Sequence, residues 1–283
     1  MSQAIHESAV VHPSAVLGDG VVVEPFAVIG AGVVLGEGCL VGASAQVRGP
    51  SRFGRGNRIF PHACVGFEPQ DLKYGGEEVF LEVGDENLFR EFSTVHRGTG
   101  FGGGVTRIGS HNLFMAYSHV AHDSRIGDRT VFTNNATLAG HVEVGDDAVI
   151  GAFSAIHQFC RVGRHAYVGG YTVVTMDALP FVKTVGVKAA CYGLNSIGLK
   201  RKGFAGDTIR RLGATVRILS QSGLNTAQAV ERIRREVGED DPEVAYFLSF
   251  VESAKRGVVK AGPGSRGGRG GDAAAAEPGR DEA

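Results

Sequence analysis

The chain has 283 residues, with 29 basic side chains against 30 acidic ones, so no global positive field points to nucleic acid. Hydrophobic residues at 43% can fill a core, and no apolar run reaches the ~18 residues of a membrane span. The opening MSQAIHESAVVHPSAV has no basic segment followed by an apolar one, so no secretory signal is expected.

With 43 glycines, about twice the ordinary share of ~7%, and many valines, the chain invites a search for a short repeat. One begins at once. From Ile5 every sixth residue is aliphatic or Phe: Val11, Leu17, Val23, Ile29, Leu35, Val41, Val47, Phe53, Ile59 and Val65. The pattern resumes at Val83, Phe89 and Val95. It resumes again from Ile108 through Phe114, Val120, Ile126, Phe132, Leu138, Val144, Ile150, Ile156, Val162 and Val168 to Val174. Gly often follows the apolar residue, as at Gly18, Gly36 and Gly127, and a small residue often falls four positions after it, as at Ala27 and Ala136. A period of six fits neither the 3.6 of a helix nor the 2 of an alternating strand. It fits a short strand plus a tight corner. Three such sides close a triangular coil of about 18 residues, and coils stacked ~4.8 Å apart make a prism with the apolar residues inside.

Two interruptions predict outward loops. Between Val65 and Val83 the hexad positions would fall on Asp71 and Glu77, which cannot point into an apolar prism, so about 67–82 loops out. Between Val95 and Ile108 lies the glycine-rich RGTGFGGGVT, a second loop at about 97–107. The prism is expected over 1–185. After it, 186–260 carry helical periodicity, with Asn225 and Asp241 as candidate N-caps and Pro242 at a first helical position. The last stretch, 261–283, is low complexity and is expected to be disordered. The four cysteines, Cys39, Cys64, Cys160 and Cys191, have no CxxC spacing and read as buried thiols of a cytosolic protein.

Five histidines, His96, His119, His122, His141 and His157, cluster beside the two loops. If each loop leaves the count of faces unchanged, Val95, Val120, Leu138 and Ile156 begin one face in successive coils. His96 and His157 then share a column, His122 shares one with Gly140 and Gln158, and Asp123 shares one with His141. A metal site is the competing reading, but zinc needs three or four converging ligands, and a parallel stack sends same-column side chains outward together. A histidine can accept a proton near neutral pH, and the bare backbone N–H of Gly140, one coil on, can serve as an oxyanion donor. That pairing suits acyl transfer to a hydroxyl. No GxSxG nucleophile motif is present, so direct transfer is expected.

The repeat resembles the hexapeptide-repeat acyltransferases. The segments PQDLKYGGE, SHVAHDSRIGD, NNATLAGHVEV, AIHQFCRVG and GLNSIGLKRKGF resemble, more narrowly, the UDP-N-acetylglucosamine O-acyltransferase family of lipid A biosynthesis, over roughly 5–256. The resemblance implies an all-β, left-handed parallel β-helix of hexapeptide repeats with a C-terminal α-helical domain. It implies transfer of an (R)-3-hydroxyacyl chain from acyl carrier protein to the 3-hydroxyl of UDP-N-acetylglucosamine, with His122 as general base, Asp123 as its orienting partner and Gly140 as oxyanion donor. Gln70, Asp71 and Lys73 on the first loop, His96, His119, His141, His157 and Gln158 in the cleft, and Asn195 and Arg201 near the C-terminus match substrate-binding positions. Gly170 matches the position that sets acyl-chain length, and a Gly there favours a longer chain. Ile197 replaces a usual Glu, and Lys202 a usual Arg.

No metal and no cofactor beyond the carrier's phosphopantetheine is implied. A homotrimer in the cytoplasm is. The acidic carrier should meet a basic patch, for which Arg161, Arg164 and Lys73 are candidates. The alternatives are a 3-amino sugar nucleotide as acceptor, another hexapeptide acyl- or acetyltransferase, and a non-enzymatic β-helix.

Overall fold

The computed structural model describes residues 4–260. The expected disordered tail, 261–283, lies outside them. Two-residue strands recur with the hexad and wind into three parallel sheets, which form the faces of a prism. The first face has 11 strands and starts at Ala4–Ile5, the second has 9 and starts at Val10–Val11, and the third has 8 and starts at Val16–Leu17. From Val23 on, the hexad residues point inward and are almost fully buried, as at Ile29, Val65, Leu138 and Val174. Three of them, Phe89, Phe114 and Phe132, stack ring on ring at 4.9 Å along the axis. Between faces the chain turns through left-handed residues such as Tyr117, Asp123 and Arg129, a conformation that costs a non-glycine residue about 1 kcal/mol or more.

The loops preserve the count of faces. Val65 pairs with Val95, Val95 with Val120, Val120 with Leu138 and Leu138 with Ile156, all on the second face. Both loops are shorter than expected, however. Phe80–Val83 and Val105–Ile108 are four-residue strands that pair with each other. Leu81 and Thr106 turn inward two residues ahead of the hexad position, an alternation of period two that the hexad does not mark.

The end of the prism also differs from the expected boundary at 185. Val182–Val185 and Ala190–Leu194 form an antiparallel hairpin that extends the first face. Helices follow: α1 (Ser196–Arg201), α2 (Gly206–Gln221), α3 (Thr226–Glu236) and α4 (Pro242–Glu252). Asn225 caps α3 in a reciprocal box with Gln228, and Asp241 caps α4 with Pro242 at its first turn. A second core, including Leu212, Val216, Ile233, Val244 and Phe247, joins the helices to Leu179 and Phe181 at the prism end.

This seam consumes two residues expected on a free basic patch. Arg161 pairs with Asp177 at 2.8 Å, donates to the Phe250 carbonyl and lies 4.2 Å from the Phe250 ring. Arg164 pairs with Glu243 and lies 3.9 Å from the Tyr246 ring. Both therefore fasten the helices to the prism, because each guanidinium finds a carboxylate and an aromatic face within the chain. Lys73 remains exposed. Of the cysteines, Cys39, Cys160 and Cys191 are buried and Cys64 is half-buried; all four are free.

Candidate active site

The edge between the second and third faces carries the histidines. The ring of His122 lies over Gly140 one coil on. A Cβ built on Gly140 would stand 2.5 Å from His122 Cε1 and 2.8 Å from Nε2, so only glycine leaves room for the imidazole. The N–H of Gly140 meets no acceptor among the described residues. On its other side, His122 Nδ1 bonds Asp123 Oδ2 at 2.8 Å. That leaves Nε2 facing outward, 4.0 Å from Asp71 Oδ2 on the first loop.

Asp123 is buried and held by more than His122. The Thr99 N–H donates to its Oδ1 at 2.9 Å and the Thr99 hydroxyl to its Oδ2 at 2.7 Å, while its own N–H donates to Thr106 Oγ1 at 2.8 Å. Burial alone would raise its carboxyl pKa, but the bonds from His122 and Thr99 outweigh it, and the group stays below the usual carboxylate range. His141 stands edge-on to His122, with ring centroids 5.2 Å apart, and stacks on Phe159 at 4.4 Å; its Nε2 is 3.7 Å from Asp123 Oδ2.

His96 and His119 form a second edge-on pair, 5.1 Å apart, with His119 Nδ1 2.7 Å from Thr94 Oγ1. Burial, and then the neighbouring histidines, push His96 down to about 4 and lower His119 as well. Burial also lowers His141, against the opposing pull of Asp123. These three imidazoles are therefore neutral at neutral pH, and a cation forming on His122 would meet no like charge from them.

The remaining expected residues divide. Gln70 and His96 line a cavity of about 500 Å³ with Arg48 and Arg97 beside the loops. Lys73 and Asp71 share a tight turn, the Lys73 N–H donating to Asp71 Oδ1 at 2.9 Å. His157 and Gln158 are exposed one coil beyond Gly140 on the same edge. Asn195, Arg201 and Gly170 are not brought to His122. Asn195 caps α1 through Gly198 N and donates to the His165 carbonyl at 3.2 Å, on the edge between the third and first faces; Arg201 ends that helix. Lys202 beside it pairs with Asp147 at 2.6 Å. Gly170 is exposed on the edge between the first and second faces, where a Cβ would approach the Ala152 carbonyl oxygen at 3.3 Å. Within one chain, the expected site is thus split over three edges.

Sequence reasoning missed Thr99, Thr106 and Phe159. Thr99 carried a signal: it is the one hydrogen-bonding side chain between Arg97 and Val105. For metal, one group of ligand atoms converges among the described residues: those of His122, Asp123 and His141 lie within 4.8 Å of one another. Both oxygens of Asp123 are already engaged by Thr99 and His122, so these atoms are organised as a hydrogen-bonded set.

Comparisons with known proteins identify the family. Residues 177–259 match the profile described as UDP-N-acetylglucosamine O-acyltransferase, domain 2, and 14–49 and 141–175 match the bacterial transferase hexapeptide profile. The acyl-[acyl-carrier-protein]–UDP-N-acetylglucosamine O-acyltransferase of Psychrobacter arcticus is 54% identical over 92% of this chain and 100% of its own. That of Myxococcus xanthus is 47% identical over 90% and 99%. Among solved structures, the UDP-N-acetylglucosamine acyltransferase of Francisella novicida superposes with a TM-score of 0.88 at 35% identity, covering 92% of this chain and 95% of its own. The Arabidopsis enzyme does so with 0.80 at 36% identity, covering 90% and 100%. The fold is the left-handed parallel β-helix with a C-terminal helical region, and the chain belongs to the acyl-[acyl-carrier-protein]–UDP-N-acetylglucosamine O-acyltransferase family.

Proposed function

We propose that this chain transfers an (R)-3-hydroxyacyl group from acyl carrier protein to the 3-hydroxyl of UDP-N-acetylglucosamine, the first step of lipid A biosynthesis, with His122 as the base. The observation that carries the mechanism is the imidazole fixed at Nδ1 by Asp123 and lying over the unspent N–H of Gly140. His122 Nε2 takes the proton of the sugar hydroxyl as its oxygen attacks the thioester carbonyl. The Gly140 N–H bonds the oxyanion of the tetrahedral intermediate. The intermediate collapses, the C–S bond breaks, and His122 returns the proton to the departing pantetheine thiolate. Asp123 keeps Nδ1 occupied and stabilises the imidazolium while the proton is held. Gln70, Asp71, Lys73 and the outer histidines bind the sugar and the acyl hydroxyl.

The same reading includes a homotrimer in the cytoplasm. Along the edge between the first and second faces, exposed Phe26, Phe92, Tyr117, Phe153 and Tyr171 form an aromatic rib. The middle of the third face carries charged outward residues instead: Arg52, Glu82, Arg107, Arg125 and Glu143. Three chains meeting along their aromatic ribs bury those rings and leave the charged faces in water. In that arrangement, the His122 edge of one chain meets the Asn195 and Arg201 edge of the next, which reunites the divided site. Mixing two inactive variants, His122→Ala and Arg201→Ala, tests it. Hybrid trimers should regain measurable turnover, since some sites receive both intact halves. Mixtures as inactive as their components, with subunit exchange verified by mass, would contradict a shared site.

A further inference from the structure

We propose that Thr99 is the positioning residue of the His122–Asp123 pair, an inference that rests on the mechanism above. Thr99 is buried, in a loop otherwise built from Gly98, Gly100, Phe101, Gly102, Gly103 and Gly104. It contacts both oxygens of one carboxylate, through its N–H to Oδ1 at 2.9 Å and its hydroxyl to Oδ2 at 2.7 Å. A carboxylate held at one oxygen can swing; one held at both keeps Oδ2 in line with His122 Nδ1, 2.8 Å away.

The rest of the loop supports that grip. Thr99 Oγ1 accepts from the Gly102 N–H at 3.2 Å, so the hydroxyl hydrogen is directed to Asp123. Gly102 lies against the carboxylate so closely that a Cβ there would stand 1.9 Å from Asp123 Cγ. The first loop buttresses the second: Glu77 Oε1 accepts from the Gly100 N–H at 3.0 Å and its Oε2 from the Gly75 N–H at 2.8 Å. Gly100 is the residue after Thr99, and Gly75 shares its loop with Asp71. The glycine-rich loop is thus a clamp on Asp123, and its glycines are what lets the backbone come that near.

The full chain tests this with four variants: Thr99→Val, Thr99→Ser, Asp123→Asn and the Thr99→Val/Asp123→Asn double. Thr99→Val should lower kcat about 10- to 100-fold, the worth of one hydrogen bond to a charged group, with both KM values within about threefold. Thr99→Ser should restore kcat to within about threefold of the parent. In the Asp123→Asn background, Thr99→Val should cost nothing further, because a residue acting through Asp123 has nothing left to act on. Wild-type kcat in Thr99→Val, a loss confined to KM, or an undiminished loss in the Asp123→Asn background would overturn the proposal. Should Thr99→Val not fold, Gly102→Ala displaces the same carboxylate with Thr99 intact. It should lower kcat while Thr99→Ser does not, and wild-type kcat there overturns the proposal equally. Wild-type kcat in Asp123→Asn alone would remove the mechanism on which the inference rests, whereas a large loss there with an inert Thr99→Val removes only the role of Thr99.

Discussion

Two edges of the same prism use the same backbone donor in opposite ways. On the edge between the third and first faces, several residues two past an inward one give their N–H to a side chain of the next coil. Arg55 donates to Asp85 Oδ1 at 2.9 Å, Ser110 to Asp128 Oδ1 at 2.7 Å, and Asp128 to Asp146 Oδ1 at 2.9 Å. Inside that edge Asn57, Asn87 and Asn112 form a buried ladder, with Asn87 donating to Asn57 Oδ1 at 2.9 Å and accepting from the Asn112 N–H at 2.9 Å. On the edge between the second and third faces the equivalent residue is Gly140, whose N–H has no such acceptor among the described residues; the next coil presents exposed Gln158 instead. The backbone is the same, so the side chain one coil on decides whether the donor is closed for stability or left open for an oxyanion.

Copying the closed edge onto the open one should have the largest effect. Gln158→Asp places a carboxylate one coil beyond Gly140, the relation Asp146 has to Asp128 on the other edge, so it should compete for the Gly140 N–H and repel the developing oxyanion. A loss of about 10²- to 10³-fold in kcat is expected, the range for removing an oxyanion donor, with Gln158→Asn far milder. Steady-state kinetics of the two variants decide it, and equal kcat values would break the comparison.

Opening the closed edge should instead cost stability. Asn87→Ala orphans the Gly109 carbonyl and the Asn112 N–H, while Asn57 Oδ1 keeps the Asn87 backbone N–H, so unfolding should become easier by about 3 kcal/mol with kcat of the folded enzyme little changed. Denaturant titration measures the first and an assay the second; a large fall in kcat with no change in unfolding would reverse the assignment of the two edges.

A smaller effect concerns His96, whose Nδ1 is buried without a partner among the described residues. Its folded pKa of about 4 lies below the ordinary 6.5, so the unfolded chain binds more protons between those values and stability falls as pH falls through that window. Between pH 7 and 5 the loss should be about 2 kcal/mol, and His96→Phe should remove most of it. Urea titrations at the two pH values measure it; the same slope in the variant would place the effect elsewhere.

The prism was legible because each side has one inward position, and the stacking register then carries column arithmetic from Val95 to Ile156 without drift. That register is also why His122 and Gly140 could be paired from spacing alone. The four-residue strands at Phe80–Val83 and Val105–Ile108 escaped because period-two alternation adds an inward residue that the hexad does not count. Thr99 escaped because an aperiodic loop has no register to say what it reaches. Arg161 and Arg164 misled because exposure was inferred from charge, while the partners that bury their charge, Asp177 and Glu243, lie on a seam that local pattern does not describe. Asn195 is likewise a cap and a tether of α1 in its own chain, whatever it meets in a neighbour.

The most direct measurement is turnover of hydroxyacyl carrier protein with UDP-N-acetylglucosamine by His122→Ala beside the parent, following the acylated sugar. A loss of at least ~10²-fold with the thermal transition unchanged is the predicted result. A variant that folds normally and turns over within a few-fold of the parent would contradict the assignment of the base, and with it the reading of this edge.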